Sequence, residues 1–285
     1  MVIITAKLLR KKIWLRAENP LSQEISKGKK LLFVKKIILK TFLFPFVNKF
    51  LYIGTESKNF FLYYGIKQSR LLFTPYAVDN DFFQQQRSML TDIGNIKRML
   101  SLPLNKKIIL FSGKYIEKKN PLDLIEAFYL LNDPDVALVM VGEGEMRAAM
   151  ENFITENRVK NVFLTGFVNQ SAIAKYYAVA DVFVMCSGQG ETWGLSVNEA
   201  MNFAKPVIVS KTCGCCADLV RGGVNGFSFR EGDVHELHLL LKKTFAEPDL
   251  INSYGNASLK IINGYNINCI VNNMISGLYE LNQVV

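Results

Sequence analysis

Two carboxylates eight positions apart, Glu191 and Glu199, frame the part of this 285-residue chain best equipped for chemistry. The run reads Gly190-Glu191-Thr192-Trp193-Gly194-Leu195-Ser196-Val197-Asn198-Glu199-Ala200-Met201, and Lys205-Pro206-Val207-Ile208-Val209 follows it. Glu191 falls in a glycine-flanked loop, and the spacing predicts a helix from near Leu195 with Glu199 one turn inside it. Val197, Ala200, Met201 and Ala204 obey the i, i+3, i+4, i+7 rule and form its buried stripe. Glu199 lies off that stripe, beside the open helix start and on the face of Leu195 and Ser196. Free backbone N–H groups at a helix start attract anions, and a diphosphate is the natural candidate. One carboxylate can then face a sugar while the other grips a ribose diol, the layout of a sugar-nucleotide site.

A second loop carries the charge such a site needs. Ser112-Gly113-Lys114-Tyr115-Ile116-Glu117-Lys118-Lys119-Asn120-Pro121 joins an apolar run to a helical pattern. Gly113 permits close approach of a ligand, and the Lys114 and Lys119 ammonium groups can neutralise a diphosphate leaving group without a metal. A solvated lysine-rich loop is the plainer alternative. Val141-Gly142-Glu143-Gly144-Glu145 is equally explained by a tight strand-to-helix turn. Gly166-Phe167-Val168 can offer backbone groups to a nucleobase.

These loops need a scaffold, and the pattern from residue 106 onward supplies one. Short apolar runs at 107–113, 136–141, 162–164, 181–185 and 207–209 read as strands. Helical patterns lie between them: Pro121 to Leu131 with Asn120 as N-cap, Glu145 to Thr155, Ser171 to Ala178, and Asp233 to Phe245 after the last strand. Continuous apolar strands alternating with helices mean a parallel sheet covered on both faces. The fold class is α/β, a doubly wound domain whose ligand belongs at the strand C-termini. The first hundred residues are less regular. Strands are expected at Ile13–Arg16 and Phe50–Ile53, with a helix between them and another near 58–64. Ser88 to Leu100 reads as a polar linker, and Ile267, Ile270, Val271, Met274 and Leu278 as a terminal amphipathic helix.

Composition narrows the class. Nearly half the residues are hydrophobic, enough for a substantial core in one large or two modest domains. The first 80 residues carry 15 Lys/Arg against 4 Asp/Glu, and the rest 19 against 21, so the net +9 resides in the N-terminal part. Such asymmetry points to an anionic partner or to a merely solvated basic face. Cys186, Cys213, Cys215, Cys216 and Cys269 are an odd set without a second metal-ligand cluster, so reduced thiols are expected and zinc is not. The apolar run from Leu31 to Ile53 is interrupted by Lys35, Lys36, Lys40, Pro45 and Lys49. It therefore fails as a membrane span, while an interfacial role or a buried helix with lysines at its rim both stay open.

Taken together, the motifs resemble the retaining glycosyltransferases of family 4, which have two facing Rossmann-like domains (the GT-B fold). The order matches that family's donor domain: a Gly-basic loop ahead of a Lys, strands ending in Gly-Glu-Gly and Gly-Phe-Val, then Glu-x7-Glu enclosing Gly-Leu. Upstream, Phe73-Thr74-Pro75-Tyr76-Ala77-Val78-Asp79-Asn80-Asp81-Phe82-Phe83 looks like the family's exit from the acceptor domain. The resemblance is strongest over residues 106–232. It implies a complete donor domain at 88–262, a partial acceptor-side domain at 1–87 and a C-terminal helix at 263–285 packing back toward the N-terminal part. It also implies that Lys114 and Lys119, with Gly113, hold the donor diphosphate. Thr192, Trp193, Gly194 and Leu195 would offer it backbone N–H groups, and Val168 belongs to the nucleobase loop. Glu191 would be the catalytic-centre carboxylate on the transferred sugar, and Glu199 would bind the ribose.

The chain departs from the family pattern at several points. Lys114 stands where Arg is commoner, Asn120 where Gly is common, and only about 75 residues precede the Pro-Tyr-Ala-Val-Asp step. Arg16 and Glu18 fall where the family often has a catalytic-face His. The expected partners are a nucleotide sugar, a lipid-linked or polysaccharide acceptor and an anionic membrane surface. No cofactor, metal or nucleic acid is expected, and the implied location is cytoplasmic, extending to the inner face of the cell membrane. Two rivals remain: a truncated, non-catalytic nucleotide-sugar-binding or partner module, and a metal-dependent transferase using Asp79-Asn80-Asp81 or Asp133-Pro134-Asp135.

Overall fold

The computed structural model describes residues 2–282. The chain forms two compact units, Met1–Tyr76 with Tyr265–Val285, and Ala77–Gly264. In the first unit, α1 (Val2–Leu8), β1 (Trp14–Ala17), α2 (Leu21–Ile25), α3 (Lys29–Ile38), β2 (Lys49–Tyr52), α4 (Thr55–Tyr63) and β3 (Leu71–Phe73) surround a three-stranded parallel sheet, order β1-β2-β3. Its core is aromatic: Phe44, Phe50, Phe60, Phe61 and Tyr64 are buried together, several edge to face. Glu24 is buried among them. Burial raises its pKa, but hydrogen bonds from Lys35, Lys27 and Tyr64 outweigh this and leave it below the usual carboxylate range. Because Lys35 turns inward to Glu24, α3 buries Leu32 and leaves Leu31, Phe33, Val34, Ile37 and Ile38 exposed.

The second unit begins with α5 (Asn80–Met89) and α6 (Ile93–Met99). The segment expected to be a linker is therefore largely helical. Asp79 and Asp92 cap these helices, and Lys97 is buried because its ammonium donates to the carbonyls of Lys106 and Leu104. Then follow β4 (Lys107–Ser112), α7 (Pro121–Leu131), β5 (Val136–Val141), α8 (Arg147–Glu156), β6 (Val162–Leu164), α9 (Gln170–Val179), β7 (Val182–Met185), α10 (Leu195–Asn202), β8 (Val207–Ser210), α11 (Cys216–Leu219), β9 (Gly226–Phe229), α12 (Val234–Ala246) and α13 (Pro248–Ile262). The last helix, α14 (Ile267–Asn282), belongs to the first unit.

The six strands are all parallel, in the order β6-β5-β4-β7-β8-β9. Strand parity divides their side chains. Ile109, Phe111, Leu138, Met140, Val182 and Val184 join Leu124, Phe128, Leu237 and Leu241 of α7 and α12 in one core. Phe183, of opposite parity, meets Tyr177 of α9 on the other face. Strand order reverses between β4 and β7, and at that switch point an open α/β sheet leaves a crevice at its carboxyl edge. The loops after β4 and β7 are those carrying the lysines and Glu191.

Helix α13 was not foreseen, because Asn252, Ser253, Gly255, Asn256 and Ser258 disguise its apolar face. Small residues let it press on the turn after α10. A Cβ on Gly255 would lie 2.0 Å from the Ala204 carbonyl oxygen. Ala204 itself has φ 54° and lies beyond the end of α10, so it is not the last member of that helix's stripe. Replacing a helical Gly by Ala ordinarily gains about 1 kcal/mol, but overpacking against backbone costs about 1–3 kcal/mol. Gly255→Ala is therefore expected to lower the denaturant midpoint, with a net loss of up to about 2 kcal/mol. A raised midpoint would show that the contact relaxes freely.

Candidate functional site

The loops at the switch point are laced to each other. Gly188 N–H donates to the Lys118 carbonyl at 2.8 Å, and Asn120 Nδ2 donates to the Cys186 carbonyl at 3.1 Å. The Lys119 ammonium pairs with Glu191 Oε2, both side chains being largely buried. Asn120 therefore does not cap α7 with its side chain as its sequence position suggests. It takes a left-handed conformation, φ 45°, and its amide reaches across to the β7 loop. The Gly common at this position in the resembled family suits the same backbone conformation.

Glu191 sits above a second support. Gly214 N–H donates to the Glu191 carbonyl at 3.1 Å. The Cys215 N–H and the Cys213 thiol both donate to the Trp193 carbonyl, at 3.1 and 2.9 Å. All five cysteines are free. Burial raises the thiols of Cys215 and Cys216, the latter to about 12, so they pack as small apolar groups. Trp193 is itself buried, its indole N–H donating to Asn198 Oδ1 at 2.8 Å. Its side chain thus anchors the loop from within the core.

Gly194 begins α10 with φ 106°, and a Cβ there would lie 2.6 Å from Met185 Sδ, so only glycine serves. Beyond it Leu195 and Ser196 open the helix, and Val197 N–H bonds the Gly194 carbonyl at 3.0 Å. The N–H groups of the first turn have no carbonyl four residues back within the helix, which makes this end electropositive. Glu199, one turn in, is mostly buried and accepts a 2.6 Å hydrogen bond on Oε2 from the Tyr177 hydroxyl of α9. Burial raises the Glu199 pKa, and the Tyr177 bond partly offsets this. Tyr177 is fully buried, and burial first, then the Glu199 charge, push it well above the ordinary phenol range. Sequence reading missed Tyr177. Its signal was its place in the buried stripe of α9, because a buried phenol requires a hydrogen-bond partner.

The remaining candidates are placed as follows. Gly113 directly follows β4. Lys114 is exposed and makes no ion pair among the described residues. Thr192 is half-buried and Leu195 exposed. Gly142 N–H donates to the Gly166 carbonyl at 3.0 Å, which ties the loops after β5 and β6. There Val168 is half-buried while Phe167 is 81% exposed. In the first unit, the Arg16 guanidinium lies over the Tyr76 ring at 4.8 Å and 3.9 Å from Glu18. Burial, then the Glu18 hydrogen bond, push Tyr76 up to about 12. The two Asp-x-Asp tripeptides serve local structure: Asp79 caps α5, Asn80 donates to the Ile262 carbonyl, and Asp133 accepts from Asp135 N–H.

A parallel sheet of this strand order, with its polar groups collected at the switch point, has the architecture of the GT-B glycosyltransferases. The chain belongs to the family described as glycosyl transferases group 1, whose sequence model matches residues 92–260. An uncharacterized glycosyltransferase of Methanocaldococcus jannaschii is 34% identical over 134 residues, 46% of this chain and 34% of its own length. The UDP-Gal:alpha-D-GlcNAc-diphosphoundecaprenol alpha-1,3-galactosyltransferase of Escherichia coli is 31% identical over 181 residues, 61% of this chain and 46% of its own. This chain thus spans between a third and a half of these relatives. Among solved structures, Anabaena Alr3699/HepE in complex with UDP superposes with a TM-score of 0.82 at 20% identity, over 98% of this chain and 75% of that one.

The buried carboxyl of Glu199 has a consequence for stability. Its folded pKa lies above the ordinary value near 4.5. Above that pH the unfolded chain gives up this proton first, so ionisation opposes folding, and the penalty disappears at lower pH. Glu199→Gln keeps an acceptor for Tyr177 and removes the charge. It is expected to raise the denaturant midpoint at pH 7 and to leave it unchanged at pH 4; equal midpoints at both would contradict the burial argument.

Proposed function

We propose that this chain is a glycosyltransferase that moves a sugar from a nucleoside-diphosphate sugar to a surface or envelope glycan acceptor with retention of configuration. The observation that carries the reading is the loop cluster at the β4/β7 switch point, where an open parallel sheet receives its ligand. It presents lysines and a helix start to an anion, flanked by carboxylates in two different environments. In this reading Lys114, Lys119 and the backbone N–H groups at the start of α10 hold the diphosphate. They stabilise the negative charge that grows on it as the bond to the sugar breaks, without requiring a metal. Glu191 faces the transferred sugar, with Lys119 shared between it and the diphosphate. Glu199 accepts the ribose hydroxyls, and the loop containing Val168 meets the base. On the acceptor side we assign Arg16 and Glu18, set with Tyr76 at the carboxyl end of β1.

Relatives support the substrate classes. The Escherichia coli relative is named for transfer from UDP-Gal to a diphosphoundecaprenol-linked sugar. A 27% identical relative from Acholeplasma laidlawii is an alpha-monoglucosyldiacylglycerol synthase. Calorimetric titration against UDP-, GDP- and ADP-sugars tests the donor site. Glu199→Gln should weaken nucleoside-diphosphate binding by about 1–3 kcal/mol, the worth of a charged hydrogen bond. Glu191→Gln should spare that binding and impair recognition or transfer of the sugar. Absence of binding to every nucleotide sugar by the folded protein sinks the reading, and equal loss of nucleotide affinity in both variants sinks the division of roles.

A lipid-linked acceptor also suits the surface of the first unit. No helix of the described residues is long and apolar enough to cross a membrane. Yet α3 and the turn after it expose Leu31, Phe33, Val34, Ile37, Ile38 and Phe42, with Lys29, Lys30 and Lys40 exposed among them. Apolar side chains ringed by lysines complement an anionic lipid surface. We therefore assign peripheral attachment to the cytoplasmic face of the membrane. In flotation assays the protein should rise with anionic vesicles at low salt and remain behind with neutral vesicles or at high salt. Equal recovery with both vesicle types rejects electrostatic attachment.

A further inference from the structure

We propose that Tyr177 is a positioning residue for nucleotide binding, holding Glu199 in the orientation that the ribose requires. This rests on the donor-site reading above and adds to it a residue that touches neither substrate nor metal.

Tyr177 Oη lies 2.6 Å from Glu199 Oε2, while Oε1 makes no hydrogen bond among the described residues. The ring is locked on three sides. It stacks on Phe203 with centroids 5.7 Å apart, and it meets Phe83 and Phe183 at 6.4 and 6.0 Å. Such packing leaves the hydroxyl one direction to point, so the carboxylate it contacts is fixed as well.

A structural role alone would explain a buried tyrosine, but the acceptor chosen here is a carboxylate that burial drives toward protonation. A protonated Glu199 can accept fewer ribose hydroxyls than the ionised form, and the Tyr177 bond favours the ionised form. Beside burial, the Tyr177 hydroxyl is the group that acts on the Glu199 carboxyl.

The test is binding of UDP, GDP or ADP, whichever the wild-type chain holds, from pH 5 to pH 8 by calorimetry. Wild type, Tyr177→Phe, Glu199→Gln and the double variant are compared, with thermal melts as the control for folding. In wild type, affinity should fall as Glu199 protonates. In Tyr177→Phe the midpoint of that fall should move up by about one pH unit, giving roughly tenfold weaker binding on the acid side and convergence with wild type near pH 8. Glu199→Gln should leave only the pH dependence brought by the terminal phosphate of the nucleotide, which titrates at about pH 6, and the double variant should match it. Where turnover is measured, Tyr177→Phe should raise the donor KM and leave kcat nearly unchanged. A uniform loss at every pH, or additive losses in the double variant, overturns the proposal and makes Tyr177 a packing residue. Should Tyr177→Phe melt early, the same titration is made below its melting temperature, and an unshifted midpoint there counts equally against the proposal. A folded wild-type protein that binds none of the nucleotides refutes the donor-site reading itself, an outcome visible before any variant is made.

Discussion

The ion pair between Lys119 and Glu191 spans the gap where the sheet reverses direction, and the candidate site depends on it. Taking both charges out of water is costly, and a largely buried pair of this kind contributes little net stability compared with apolar side chains of the same size. What it does supply is position. With Gly188 bonded to the Lys118 carbonyl and Asn120 to the Cys186 carbonyl, it holds two loops that no strand pairing connects. An incoming diphosphate offers the ammonium a stronger anion at the same place. In the proposed reading Lys119 would be shared between that anion and Glu191, so the pair leaves neither charge isolated beforehand.

The two carboxylates differ because their partners differ. Glu191 faces an ammonium, whereas Glu199 faces a neutral phenol whose ring packs against Phe83, Phe183 and Phe203. A phenol stabilises an ionised carboxylate less than a cation does, so burial prevails and the Glu199 pKa stays raised. The arrangement costs stability, and binding sites commonly retain such charges because a ligand completes their hydrogen bonding.

Much of the donor-side scaffold was legible because it follows local rules. Parallel strands buried on both faces read as unbroken apolar runs, so Val136–Val141 identifies itself, and a glycine after each strand marks the loops at the carboxyl edge. What escaped is what depends on distant partners. The Lys119–Glu191 pair joins residues 72 positions apart, and Tyr177 meets Glu199 across two elements. Lys97 made Ser88 to Leu100 look solvated, although its stem is buried and only its tip reaches polar groups, the carbonyls of the turn before β4. Asn120 illustrates a rule misapplied: a good capping residue sits at the right place, but its left-handed backbone carries the side chain toward Cys186 instead of its own helix.

Charge distribution constrains how the proposed substrates reach their sites. The first unit, with its C-terminal segment, carries 15 Lys/Arg against 4 Asp/Glu; the second carries 19 against 21. A nucleoside-diphosphate sugar therefore gains nothing from the net charge of the unit that would bind it. At physiological salt, screening over about 8 Å leaves only nearby groups to attract it. Those groups are Lys114, Lys118 and Lys119 with the start of α10, all at the switch point. The excess of the first unit would act differently in the proposed attachment, because a membrane presents many charges over a broad face and each nearby lysine adds about 1 kcal/mol. The same ionic strength that leaves donor capture to short-range contacts would weaken such an attachment. Salt is therefore the variable that separates the two electrostatic roles.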